Sequence, residues 1–173
     1  MARLAEASGY IIAPDPGQAR LTRRVAGTDQ DGRPVEARVV EERPLTIYLN
    51  RQEIVTAMTI GDYPEYLAVG FLRNQGMLSA DAVVTAVDYD EEVEAVVVRT
   101  AEETNFEEKL QKKTRTSGCA VGTVFGDMMA GLEGLSLPQT TLRTSDLYAL
   151  SATINRTPSL YLEAGAIHGT VLC

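Results

Sequence analysis

Cysteine occurs only twice in this 173-residue chain, and histidine only once. The two thiols, Cys119 and Cys173, stand far apart. Cysteines so separated in a cytosolic chain rarely close a structural disulfide. There is no CxxC pair and His168 is the only imidazole, so a zinc-ligand spacing is missing and no metal site is expected. No apolar run approaches the roughly 18 residues that span a bilayer. The first ten residues hold Arg3 but no apolar core of a signal peptide, so no secretory signal is expected. A cytoplasmic protein with no membrane contact is the expectation. Basic residues are too few for general nucleic-acid binding. The net charge is -8 and the isoelectric point about 4.7, whereas a nucleic-acid surface must be basic to displace counterions. A local basic pocket for one phosphorylated ligand remains allowed.

The hydrophobic fraction is 45%, ordinary for a globular domain with a core. Residues 1–34 are rich in Gly, Pro, Arg and Asp without periodicity and read as a flexible leader ending near Gly32 and Pro34. Residues 35–173 read as a single α+β domain. Val35 to Val40 favours strand. Leu45, Ile47 and Leu49 alternate with polar residues and share one strand face. After a turn at 50–53, Ile54 to Ile60 alternates again, with Ile54, Thr56 and Met58 on one side, completing a hairpin. A helix follows, with Asp62 and Glu65 as a capping-box variant and Pro64 in its first turn. Its expected inner face is Tyr63, Leu67, Gly70, Phe71 and Asn74, and Gly76 suits a left-handed C-terminal residue.

Strands are then expected at Val83–Tyr89 and Val93–Arg99. A polar helical segment is expected at Asn105–Lys112, and a short helix from Val124 to Leu132. Next comes a helix capped by Ser145 or Asp146 that carries Leu147, Leu150 and Ile154 and stops before Pro158. Ser159–Glu163 reads as a strand and 164–169 as a turn containing His168. Acid concentrates in Asp88–Glu94 and Glu102–Glu108, read as a solvated face. The mixture, opening with hairpins, predicts an α+β fold with a mixed sheet packed against helices. The apolar end, Leu160 to Leu172, reads as an element in want of a partner, so the fold is expected to be incomplete at the C-terminus and prone to self-association.

Chemistry concentrates in Thr116-Ser117-Gly118-Cys119-Ala120-Val121-Gly122. Glycines on both sides predict a mobile loop with an accessible sulfur. Lys112, Lys113 and Arg115 upstream, and a helix start downstream, would each stabilise a thiolate. The bland alternative is a buried, inert cysteine. A cysteine-protease reading needs His168 as base, and a phosphate-cradle reading lacks the Walker pattern.

Several segments, in order, resemble the FdhD family of formate dehydrogenase accessory sulfurtransferases. Glu42-Arg43-Pro44-Leu45-Thr46-Ile47-Tyr48-Leu49-Asn50 is similar to an E-x-P-L-x-I-x-x-N strand. Met58-Thr59 is similar to a strand ending in Thr-Pro, with Ile60 in place of Pro. Leu67 to Gly76 resembles L-A-x-G-F-L-x-S-E-G, Thr116 to Cys119 the start of a sulfur-carrying loop, and Glu163 to His168 a T-G-G-x-H turn. The family loop often reads C-G-x-C-G. Here Ala120 replaces the first Gly and Gly122 stands at the second Cys, so only Cys119 carries over. Family members continue further at the C-terminus, so this chain reads as truncated.

The resemblance implies a sulfurtransferase. Cys119 would accept persulfide sulfur from a cysteine desulfurase and pass it to the molybdenum bis-guanine-dinucleotide cofactor for formate dehydrogenase. Cofactor-binding residues are not identified, and a homodimer is left open. The alternative is a non-catalytic, chaperone-like adaptor that holds formate dehydrogenase or its cofactor.

Overall fold

The computed structural model describes residues 20–79, 81–102, 136 and 138–168, together with the backbone of two short strands at 113–115 and 123–125. The chain divides into two compact units. One takes in residues 42–135, the other 10–41 and 136–173. The expected class, a mixed sheet with helices, is what forms.

In the first unit, β3 (Arg43–Leu49) and β4 (Gln52–Thr59) form an antiparallel hairpin, as do β5 (Val84–Asp90) and β6 (Ala95–Thr100). The helix α1 (Pro64–Asn74) connects the hairpins. Their inner strands, β3 and β6, pair in parallel from Thr46↔Ala95 to Leu49↔Val98, giving the strand order β4-β3-β6-β5. Period-two alternation places Leu45, Ile47, Leu49, Val96 and Val98 on one face, and all are buried with Ala68, Leu72, Met77 and Leu78.

The alternation expected for β4 does not hold. Register slips between Ile47, opposite Val55, and Tyr48, opposite Glu53, so Ile54 is an extra residue. A bulge of this kind resets which side chains face inward. Ile54 and Val55 are both buried, whereas Thr56 and Met58 are exposed.

The helix forms where expected but is rotated and capped differently. Pro64 occupies its first turn, so the cap falls on Tyr63, which is left-handed (φ 46°) and makes no side-chain cap bond. The Asp62/Glu65 capping box is therefore not formed. The buried stripe is Pro64, Ala68 and Leu72, while Tyr63 and Leu67 are exposed. Of the expected face, Phe71 packs against the core. Gly76 does close the helix at φ 64°. Its N–H bonds Arg73 O, and Met77 N–H bonds Leu72 O, both at 2.9 Å. These paired bonds satisfy the last carbonyls, and Met77 and Leu72 are buried together.

In the second unit, β1 (Thr22–Thr28) pairs antiparallel with β2 (Pro34–Val40). Regular structure thus starts earlier than the expected boundary at residue 34. Gly32 sits in the connecting turn at φ 77°, where Asp29 Oδ1 accepts from Asp31 N and Arg33 N at 2.9 Å each. The helix expected from 145 runs as α2 (Thr144–Ile154), but its cap is Arg143 with no side-chain bond, so the Ser145 or Asp146 cap is not formed. The strand expected at Ser159–Glu163 is instead a short helix, α3 (Leu160–Ala164). Ser159 accepts from Leu162 N across its first turn, an N-cap signal that outweighs the short alternation. Leu160 is buried, and α3 packs on β2. No helix among the described residues is long and apolar enough to cross a membrane.

Candidate functional site

Two three-residue strands bracket the thiol segment. β7 (Lys113–Arg115) pairs antiparallel with β8 (Thr123–Phe125), and Arg115 stands opposite Thr123. Cys119 is at the middle of 116–122, the stretch that joins them. Cys119, Cys173 and the expected loop mobility lie outside the described residues, as does the segment 105–112. The helix expected from Val124 does not begin there, because Val124 and Phe125 belong to β8. A helix N-terminus directly after the loop therefore falls away as a source of thiolate stabilisation. Lys113 and Arg115 lie on β7, just before the thiol segment in sequence.

His168 follows α3 in an irregular turn and is exposed. Gly165 (φ 64°) and Ala166 (φ 51°) both have positive φ, so the chain bends within the stretch 164–169 expected to turn, although Ala164 still belongs to α3 and Gly169 lies outside the described residues. His168 belongs to the second unit, and Cys119 lies outside the described residues. The reading of His168 as a base for Cys119 has no described contact behind it. Among the described residues no cluster of His, Cys, Asp and Glu could hold a metal ion.

Polar contacts that sequence reasoning missed hold the frame of the first unit. Asn50 is left-handed at φ 55°, a conformation asparagine tolerates. Its Nδ2 donates to Thr100 Oγ1 at 3.0 Å, and its Oδ1 accepts from Thr100 N at 2.9 Å. The β3–β4 turn is thereby latched to the end of β6, where the chain leaves toward the thiol segment. Asn in a turn between strands was the one available signal. Glu94 is also left-handed (φ 50°). Its Oε2 accepts from Tyr89 OH at 2.8 Å, and its Oε1 lies 3.6 Å from Arg43 Nη1. Asp88 pairs with Arg99 at 3.1 Å, and Asp90 Oδ1 accepts from Glu92 N and Val93 N. The first acidic run is thus partly structural rather than only a solvated face. In the second unit, Arg38 donates to Thr22 Oγ1 (2.7 Å from Nη2) and to Glu163 Oε2 (3.0 Å from Nη1), fixing α3 to the ribbon.

Leu45, Ile47 and Asn50 of the first motif, and Ala68, Leu72 and Gly76 of the second, are the residues that bury the core or set a left-handed turn. The model of the FdhD/NarQ family matches residues 40–173. The chain belongs to the FdhD/NarQ family. The sulfur carrier protein FdhD of Listeria monocytogenes serotype 4b (strain F2365) is 28% identical over 162 residues, covering 89% of this chain and 59% of that protein. The sulfur carrier protein FdhD of Bacillus subtilis (strain 168) is 27% identical over 143 residues, 80% of this chain and 54% of that one. The chain thus spans less than two thirds of the length of these curated relatives. A crystal structure of a proposed formate dehydrogenase accessory protein from Desulfotalea psychrophila overlays 46% of this chain and 34% of its own, with a TM-score of 0.40 at 21% identity.

Proposed function

We propose that this protein is a sulfur carrier serving formate dehydrogenase and that Cys119 bears the sulfur. The family match across 40–173 carries this reading, because it takes in the thiol segment and its relatives are named sulfur carrier proteins. The strands that precede and follow the Cys119 segment pair with each other, so its two ends are held close together. In the reaction the Cys119 thiolate attacks the outer sulfur of a persulfide on a cysteine desulfurase. A new S–S bond forms at Cys119, and the desulfurase cysteine leaves as thiolate. The S–S bond then breaks, Cys119 leaves as thiolate, and the outer sulfur passes to molybdenum of the bis-guanine-dinucleotide cofactor, here a substrate in its reduced Mo(IV) state, whose two electrons convert the sulfur to a sulfido ligand as the metal becomes Mo(VI). Gly122, in place of a second cysteine, makes this a one-thiol mechanism.

The experiment is loading by a cysteine desulfurase with cysteine, followed by intact-mass measurement. A gain of one sulfur is expected in the wild type and in Cys173→Ala, and none in Cys119→Ala. Absence of any adduct on a folded wild type would leave the adaptor reading, in which the protein holds formate dehydrogenase or its cofactor without carrying sulfur.

A further inference from the structure

The β1–β2 ribbon is a two-stranded sheet in which β1 has β2 as its single strand partner among the described residues. A lone hairpin is marginal in water and gains from a third strand. β1 is exposed from Arg23 to Thr28. In a chain of net charge -8, this strand reads TRRVAGT and holds no acidic residue.

The register sorts its side chains. Arg24 stands opposite Arg38, beside the pair Ala26↔Glu36. Like charges placed opposite one another destabilise a ladder, and each finds separate relief. Arg38 turns to Thr22 and Glu163. Arg24 reaches Glu36 at 3.7 Å, with both side chains more than two thirds exposed (81% and 71%), a screened pair that a competing carboxylate displaces at little cost. On the other face Arg23 stands over Val39, Val25 over Ala37 and Gly27 over Val35. Arg23 makes no ion pair among the described residues, and Val25 and Val35 are exposed. An added Cβ at Gly27 would meet nothing within 4 Å.

We propose that the edge of β1 that no described strand pairs is a docking strand for an extended segment of a partner protein bearing two adjacent acidic residues. Neighbouring residues of a strand point to opposite faces, so two consecutive carboxylates meet Arg24 on one face and Arg23 on the other. An apolar residue next to them meets Val25. Main-chain bonds supply affinity and the alternating side chains specificity. A second copy of the chain is disfavoured as occupant, because edge-to-edge pairing of two β1 strands gathers arginines without carboxylates. The proposal concerns the ribbon alone and does not depend on the sulfur chemistry of Cys119.

The test is an amide NMR titration of the full chain with a capped heptapeptide, Thr-Val-Thr-Val-Glu-Glu-Thr. Saturable shifts confined to residues 22–28 and their β2 partners are expected. The peptide methylated at alternate backbone nitrogens keeps its charge but cannot extend the sheet, and its binding is expected to be lost. Arg23→Glu combined with Arg24→Glu is expected to weaken binding at least about tenfold, about 1.4 kcal/mol. The Lys-Lys version of the peptide is expected to rescue that variant. Four outcomes overturn the proposal: no saturable shift on β1, equal binding of the methylated peptide, equal binding of the Lys-Lys peptide to wild type, or peptide-free shifts on β1 that grow with protein concentration.

Discussion

Asn50 shows how much a single turn residue does in this fold. It adopts a left-handed backbone, and its amide satisfies both the N–H and the hydroxyl of Thr100 across the sheet. Asn50→Ala removes both bonds and places a Cβ-bearing residue with no local compensation at φ 55°. A loss of about 2 kcal/mol is expected by denaturant titration. Asn50→Gly relieves the backbone but not the bonds, and is expected to recover only part of it. Tyr48, directly opposite Glu53 in register, donates its hydroxyl to Glu53 Oε2 at 3.2 Å. The Glu53 charge, chiefly, with some desolvation and the hydrogen bond, pushes the phenol above its ordinary value of 10.0. The folded state therefore holds this proton more tightly than the unfolded chain. The associated stability is fully present below about pH 10, and it falls as pH rises through the folded value. An NMR titration of the Tyr48 ring is expected to show the raised midpoint, and Glu53→Gln to bring it back toward the ordinary one.

At the scale of elements, ends decide identity. Residues Ser159–Glu163 alternate like a strand, yet Ser159 caps a helix by accepting from Leu162 N. Ser159→Ala is expected to cost about 1 kcal/mol and to speed amide exchange in α3 without changing β3 or β6. Gly76 terminates α1 with a left-handed turn that lets Met77 reach back to Leu72 O. Gly76→Ala is expected to destabilise by about 1–2 kcal/mol, the cost of holding an L-residue in that region, read as a lower melting midpoint. In contrast, α2 buries none of its residues, and Leu147 and Tyr148 remain 52% and 71% exposed.

At the scale of the molecule, two hairpins joined by α1 place their inner strands side by side in parallel. That pairing brings Leu45, Ile47 and Leu49 against Val96 and Val98, residues distant in sequence, and α1 covers them with Ala68 and Leu72. Leu72→Ala opens a cavity at the centre of this layer and is expected to cost 2 to 5, about 3 kcal/mol, by denaturant unfolding. An equivalent change at Leu67, which is exposed, is expected to cost under about 0.5 kcal/mol.

The local pattern alone determined much of this protein. Alternation fixed β3 and the existence of the hairpins. Gly76 fixed the end of α1, and the ordered motifs pointed to the family, within which Cys119 between glycines is the residue proposed to carry the chemistry. Tertiary structure decided what depends on distant partners. The Ile54 bulge arises because β4 must keep Val55 against the core while its turn pairs Tyr48 with Glu53. The rotation of α1 toward Ala68 and Leu72 follows from the sheet it covers, and periodicity by itself gives a stripe without saying what lies beneath it. The strand at Thr22–Thr28 was unreadable because its side chains are mostly exposed. Only pairing with β2 defines it, and a strand that buries little leaves almost no hydrophobic period in its sequence.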